Sequence, residues 1–440
     1  MAEPRTWRPV LHGLAIWLAI ALAIVLSTLR LSASKPEEPG KLAQDINVQT
    51  QGRYLVGLKG FGLPSDALVK QAETLKEGAQ RAILLGELDS PARALAELPA
   101  DEKSLRRLYS GAELADEERE AVAGRGWFGR LALATMGEGR DDLLAEARRT
   151  VVVVVAMFLG FLGGVLLGLV LLVVVVILVA TGRLRSKTME GRSLVYGETF
   201  ALYMLLYAGM GLALSRVDIP RQWGLAASGL MMLSALAVLA WPVLRGVPWK
   251  TVKEDLGLSA TATASPQAGK TRPTAWGDIL AGFATYFMAL PMLAAGVALM
   301  FLLTMLSRQI TGTEPPAPSH PLSGIALRTS PWWVWAQVFI VAAILAPLVE
   351  EIFFRGALYT HLHRLGAGWH RVLRFLFATF ASSVLFAAIH PQGLLAIPPL
   401  AALATAFCLA RELRGSLLPA MIAHGINNGL ITLVLMLAIA

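Results

Sequence analysis

The sequence predicts an all-α, polytopic transmembrane helical bundle of about eight or nine spans with an inserted extracytoplasmic α-helical domain. Three observations predict it. Mean hydropathy is +0.58, and hydrophobic residues fill 55 % of the 440 positions. Only 16 % of residues are charged, against about 25 % in a soluble domain. Apolar runs of about 20 residues, the length that crosses a bilayer, recur along the chain and are interrupted by one long polar region.

Charge is unevenly placed. The net charge is +8, yet residues 33–150 hold 20 of the 31 acidic residues and 17 of the 39 basic ones. The positive excess therefore flanks the spans, where it sets topology, and it does not argue for nucleic acid as a partner. Cys408 is the sole cysteine, so no disulfide forms within the chain.

Residues 1–32 read as a signal anchor. Leu11 to Leu29 is apolar and follows Arg5 and Arg8, which places the N-terminus in the cytoplasm. Ser32-Ala33-Ser34 is an alternative cleavage site. Residues 33–150 then form the polar region, expected as an extracytoplasmic helical domain. It opens on a Pro/Glu/Gly linker, Ser34 to Gln49. Leu68 to Leu85, Pro91 to Leu98, Ser104 to Leu108 and Ala115 to Ala123 carry apolar residues at helical spacing. Asp101, Asp116 and Asp141 stand where helix starts are expected. The domain has no histidine or cysteine. It binds a protein partner or guides a substrate, or it is a solvated spacer.

Residues 151–306 supply transmembrane helices. Val151 to Ala180 is longer than a bilayer needs, and Gly160, Gly164 and Gly168 give it a small-xxx-small face for close helix packing. Arg183, Arg185, Lys187 and Arg192 mark a cytoplasmic loop. Leu194 to Ser215 and Trp223 to Leu244 are the next spans. Residues 245–276 form a basic cytoplasmic loop around an Ala/Thr/Ser stretch, expected to be partly disordered. Ile279 to Leu306 crosses again, with Pro291 as a kink. Residues 307–331 are rich in proline and poor in cations, and are expected outside.

Residues 332–440 form a four-span unit. Trp332, Trp333 and Trp335 anchor its first span, which runs to Tyr359 and ends in Glu350-Glu351. His361, His363, Arg364, His370, Arg371 and Arg374 are expected in a cytoplasmic loop, with the histidines interfacial. Phe375 to His390 returns, Leu394 to Leu413 is interrupted by Pro398-Pro399, and Leu417 to Ala440 is last. The whole reads as a multi-pass protein of a bacterial inner membrane.

Chemistry concentrates in this last unit. A charge at membrane depth costs at least about 2.5–3.5 kcal/mol, so Glu350, Glu351 and Arg355 need a reason. Glu351 and Arg355 are i,i+4 in the better orientation and pair, whereas Glu350 points about 100° away and is left for chemistry. The bland reading is a helix end whose charges reach the interface. His390 closes the next span. His424 and Asn428 share a face of the last helix. A carboxylate beside a histidine activates water, and donors on histidine and asparagine suit an oxyanion.

EExxxR (Glu350, Glu351, Arg355), FxxxH (Phe386, His390) and HxxxN (His424, Asn428), in this order on successive spans, resemble the CPBP intramembrane proteases. That family comprises CAAX proteases and bacteriocin-processing enzymes, including type II CAAX prenyl endopeptidases. The resemblance covers about residues 332–440. It implies an intramembrane glutamic endopeptidase acting on a membrane protein or peptide in the lipid bilayer. It further implies Glu350 as general base, His390 as its partner on the water, and His424 and Asn428 as oxyanion donors. Glu351 and Arg355 would be supporting residues. No cofactor is expected. Zinc held by Glu350, His390 and His424 is the alternative, although EExxxR is not HExxH and no histidine pair is spaced i,i+4. Two other classes stay open: a non-catalytic scaffold or bacteriocin-immunity-type binding protein, and a transporter. Against the transporter, the halves show no internal repeat.

Overall fold

The computed structural model describes residues 7–33, 39–76, 78–134, 139–184, 193–259, 274–313 and 331–439. These residues are helical throughout, with no strand among them. Eight helices are long and apolar enough to cross a membrane, and they match the last eight spans read from the sequence. The linker around Ser34, the basic loop at 185–192, the Ala/Thr/Ser stretch at 260–273 and the proline-rich stretch at 314–330 lie outside the described residues.

The described chain forms two compact units, residues 38–162 and a second built from the N-terminal segment with residues 163–440. The first holds α2 (Pro39–Gly60), α3 (Ser65–Glu73), α4 (Ala79–Leu88), α5 (Pro91–Glu97), α6 (Lys103–Tyr109), α7 (Asp116–Ala123), α8 (Trp127–Ala134) and the start of α9 (Arg140–Ala180); α1 (Trp7–Ala33) precedes them. The apolar faces of these short helices meet in a core around Leu84, Leu85, Trp127, Phe128 and Leu131. Gly52 has no side chain because Phe128 fills the place a Cβ would take, 2.6 Å away. Charged groups tie the rim: Arg140 bonds Glu87 at 2.7 Å, and Arg53 reaches Glu146 at 2.7 Å.

Here the structure departs from the periodicity reading in two places. The expected linker is in part a helix, since α2 begins at Pro39, a residue whose fixed φ suits a first turn. The stretch Leu68 to Leu85 is two helices, α3, which ends at Glu73, and α4, which starts after Gly78, whose φ of 150° suits glycine.

The second unit holds α1, the remainder of α9, α10 (Ser193–Leu214), α11 (Gly224–Leu244), α12 (Trp249–Leu256), α13 (Ala275–Thr311), α14 (Trp332–Leu365), α15 (Arg371–Ala388), α16 (Ile397–Arg414) and α17 (Leu418–Ile439). Its core is a layer of rings between α10 and α14. Tyr203 stacks on Phe353 with centroids 3.9 Å apart, and Phe200 meets Phe354 edge-on at 5.1 Å. Phe354 in turn meets Phe386 of α15 at 5.1 Å. Offset and edge-on ring pairs have definite geometry, so this layer fixes the rotation of α14 about its axis.

Small residues set the helix approaches. A Cβ on Gly168 would lie 2.0 Å from the Phe287 carbonyl of α13, and one on Gly164 would lie 2.5 Å from Leu290. Gly160 meets nothing within 4 Å, so only two of the three spaced glycines are packing positions. Pro398 and Pro399 open α16 instead of breaking it, consistent with proline's tolerance in a first turn.

Candidate active site

α14 does not end at its acidic motif. It continues through Leu365, so Glu350 and Glu351 lie in its middle, and Glu351 and Arg355 are wholly buried. This excludes charges reaching for the interface at a helix end. The helix is also not uniform. Ile340–Leu345 and Ile352–Leu358 are π-helical, and the α turn Ala346–Glu351 that carries both glutamates lies between them. Such wider turns recur at functional sites in helices.

Pro347 explains part of this geometry. It has no N–H, so the carbonyl that an i→i+5 bond from position 347 would use, that of Ala342, lacks its helical donor. The Asn428 side-chain amide supplies one from α17, with Nδ2 donating to the Ala342 oxygen at 2.9 Å. The Asn428 oxygen accepts from Asn427 at 3.2 Å. A proline inside an apolar helix was the available signal that an outside donor is needed here.

The buried pair has several partners, although Glu351 Oε2 and Arg355 Nε make no hydrogen bond. Arg355 Nη1 donates to Glu351 Oε1 at 2.9 Å, and Nη2 donates to the Ala404 carbonyl at 3.4 Å. The guanidinium lies 4.4 Å from the Phe386 ring centroid and 5.2 Å from that of Phe407. Desolvated cations over aromatic faces are attracted by the ring quadrupole, which offsets part of the burial cost.

Glu351 has a second partner that spacing along one helix does not reveal. Its Oε1 lies 2.8 Å from His424 Nδ1. A carboxylate only accepts, so His424 donates from Nδ1 and turns Nε2 away from Glu351. Phe407 stacks on this ring at 5.2 Å and 19°. His390 is oriented in the same manner. Its Nδ1 donates to the Phe386 carbonyl at 2.6 Å, one turn earlier on the chain, and leaves Nε2 on the other side.

Both Nε2 atoms face Glu350. Glu350 Oε2 lies 3.8 Å from His424 Nε2 and 4.0 Å from His390 Nε2, and it is buried without a hydrogen bond of its own. Three groups from three helices thus converge within 4.0 Å. Asn428 sits one turn beyond His424 on α17, its amide engaged with Ala342. Among the described residues, no group of three or more His, Cys, Asp or Glu is arranged to hold a metal ion.

A second polar cluster was not foreseen. His361, His363 and Arg364 are buried on α14, not placed in a loop. Gly197 makes room for His361, since a Cβ there would lie 2.7 Å from its ring. His363 Nε2 lies 3.5 Å from Glu412, which also accepts from the Tyr359 hydroxyl at 2.7 Å. Asp255 of α12 takes Arg364 at 3.2 Å and the Tyr196 hydroxyl at 2.8 Å, while its carbonyl accepts from Arg411 at 2.7 Å. Carboxylates thus face the buried cations, as buried charge requires, while both ring nitrogens of His363 are buried without a hydrogen bond. His370 caps α15, accepting from the Val372 N–H at 3.4 Å.

A helical bundle with carboxylates and histidines gathered at the middle of a spanning helix defines a multi-pass membrane protein with a buried acid–histidine site. Residues 331–430 match the family model described as type II CAAX prenyl endopeptidase, Rce1-like. Over this segment the match supports the resemblance to the CPBP/CAAX protease family. No match to a curated protein or to a solved structure was found.

Proposed function

We propose that the protein is an intramembrane endopeptidase that hydrolyses a peptide bond in a membrane-associated protein or peptide, using water activated by Glu350 and His390. The observation that carries this reading is the convergence of His390 Nε2 and His424 Nε2 on the unpaired Glu350 Oε2, at 4.0 and 3.8 Å. Polar atoms separated by more than about 3.5 Å are commonly bridged by water. Glu350 and neutral His390 are both acceptors, so a water between them gives each a proton and keeps its lone pairs for the substrate carbonyl.

The proton balance follows from the contacts. Glu350 takes a proton as the water oxygen bonds to the carbonyl carbon, and returns it to the leaving amine as the C–N bond breaks. The oxyanion needs donors. His424, with Nδ1–H given to Glu351, presents a lone pair at Nε2 when neutral and donates only as imidazolium. Glu351 stabilises that cation, as a carboxylate does on the far nitrogen of a catalytic imidazole. Asn428 uses one amide hydrogen on Ala342 and has a second for the same oxyanion. Glu351 and Arg355 hold this arrangement, and the scheme uses no resident metal. The unit at 38–162 is read as selecting or presenting the substrate on the extracytoplasmic side of a bacterial inner membrane.

The test compares peptide termini in membranes carrying the wild type or Glu350→Gln at equal expression. Termini found only with the wild type support proteolysis and name the substrate. Identical termini across growth conditions overturn the reading in favour of a binding scaffold.

A further inference from the structure

The unit at 38–162 buries its apolar side chains well, with one exception. Among its described residues between 39 and 150, the large hydrophobics left exposed are Phe61 and Leu63, at 54 % and 41 %. They sit together in Phe61-Gly62-Leu63-Pro64, the turn that leaves α2. The turn is ordered by its own backbone. The N–H groups of Phe61 and Leu63 donate to the carbonyls of Gly57 and Leu58, at 3.1 and 3.2 Å, and Gly62 takes a φ of 87° open to glycine. The built turn thus holds two apolar side chains, two positions apart, at the surface.

The register of α2 on α9 says which partner. A Cβ on Gly57 would lie 2.3 Å from the Ala147 carbonyl and 2.6 Å from Val151, so α2 touches α9 here. The next contact along α2 is Gly60 against the Arg148 side chain at 3.3 Å. This is where α9 changes character. Arg148 and Arg149 are exposed cations, and from Val151 to Ala180 the helix is apolar, with Val152 and Val155 exposed at 57 % and 41 %. The Phe61 turn follows directly on Gly60. It therefore stands level with the point at which α9 turns from charged to apolar. The exposed Arg148 thus lies beside the residue that precedes the turn, and the exposed Asp66 and Lys70 follow it on α3. An aromatic and an aliphatic side chain beside a cation is a composition that seats at a bilayer interface.

We propose that Phe61-Gly62-Leu63-Pro64 is a membrane-interface anchor that inserts Phe61 and Leu63 into the bilayer beside α9 and so docks this helical unit on the lipid surface. The proposal is independent of the peptidase reading. It holds or fails whether or not Glu350 is catalytic.

Collision accessibility of a nitroxide label in liposomes tests it on the full chain. Cys408 is the sole cysteine and is fully buried, so label attaches at an introduced cysteine. Phe61→Cys and Leu63→Cys are compared with Val155→Cys on the lipid-facing span and with Glu117→Cys on the exposed surface of α7. Oxygen, which concentrates in lipid, is expected to relax labels at 61 and 63 severalfold more than a water-soluble nickel complex does, as at 155. Nickel access equal to that at 117 overturns the proposal by placing the turn in water. Exclusion of both relaxers also overturns it, by placing the turn against protein.

Discussion

Glu351 Oε1 and His424 Nδ1 lie 2.8 Å apart, although 73 residues separate them in the chain. The same oxygen accepts from Arg355 at 2.9 Å. One carboxylate thus neutralises the buried arginine and fixes which nitrogen of the histidine faces Glu350. The two neighbouring glutamates are therefore expected to answer mutation differently. Glu350→Gln removes a carboxylate whose Oε2 is buried without a hydrogen bond, so activity is expected to be lost while the melting temperature holds or rises. Glu351→Gln leaves Arg355 and His424 without their anion, so activity and melting temperature both fall. Thermal unfolding in detergent beside a cleavage assay separates the two outcomes.

Arg355 is expected to be irreplaceable by lysine. Its fork reaches Glu351 and Ala404 at once while its plane faces Phe386 and Phe407, and a lysine ammonium has neither the fork nor the plane. Arg355→Ala breaks a buried pair, which costs about 3–5 kcal/mol. Arg355→Lys should recover only part of that loss in the same unfolding measurement.

Gly168 and Gly160 form an internal control for helix packing. Gly168→Val drives a side chain into the Phe287 backbone, where even a Cβ lies 2.0 Å from the carbonyl oxygen. Overpacking of this kind costs about 1–3 kcal/mol. Gly160→Val meets open space and should leave the melting temperature unchanged. Equal effects at the two positions would contradict the packing described.

α12 is expected to act as a structural strap on α14. Asp255→Ala removes the acceptor for Tyr196 and Arg364 at their buried ends, whereas Lys250→Ala on the exposed side of the same helix touches no such group. The first should lower the melting temperature and the second should not.

Activity, once a substrate is in hand, is expected to survive metal chelators, because the proposed scheme takes both the base and the water contact from the chain itself, on Glu350 and His390. Loss of activity on chelation, restored by zinc, would replace this scheme with the metal alternative on Glu350, His390 and His424.

Much of this protein was legible in its residues. Hydropathy is a local, additive property, so the eight spans follow from runs of apolar side chains without knowledge of their partners. The Glu351–Arg355 pair follows as directly, because i,i+4 neighbours on one helix meet whatever surrounds them. Pro347 carried a readable demand for an outside donor. What the sequence left open was decided between helices. Which ring nitrogen of His424 meets Glu350, why Asn428 turns to Ala342, and how His361 and His363 come to be buried all depend on the rotation and spacing of α14 against α10, α15 and α17. Those are set by ring contacts such as Tyr203 on Phe353 and by Gly197 admitting His361, between residues more than a hundred positions apart. Such contacts leave no periodic trace in the chain, because each exists only once the helices have packed.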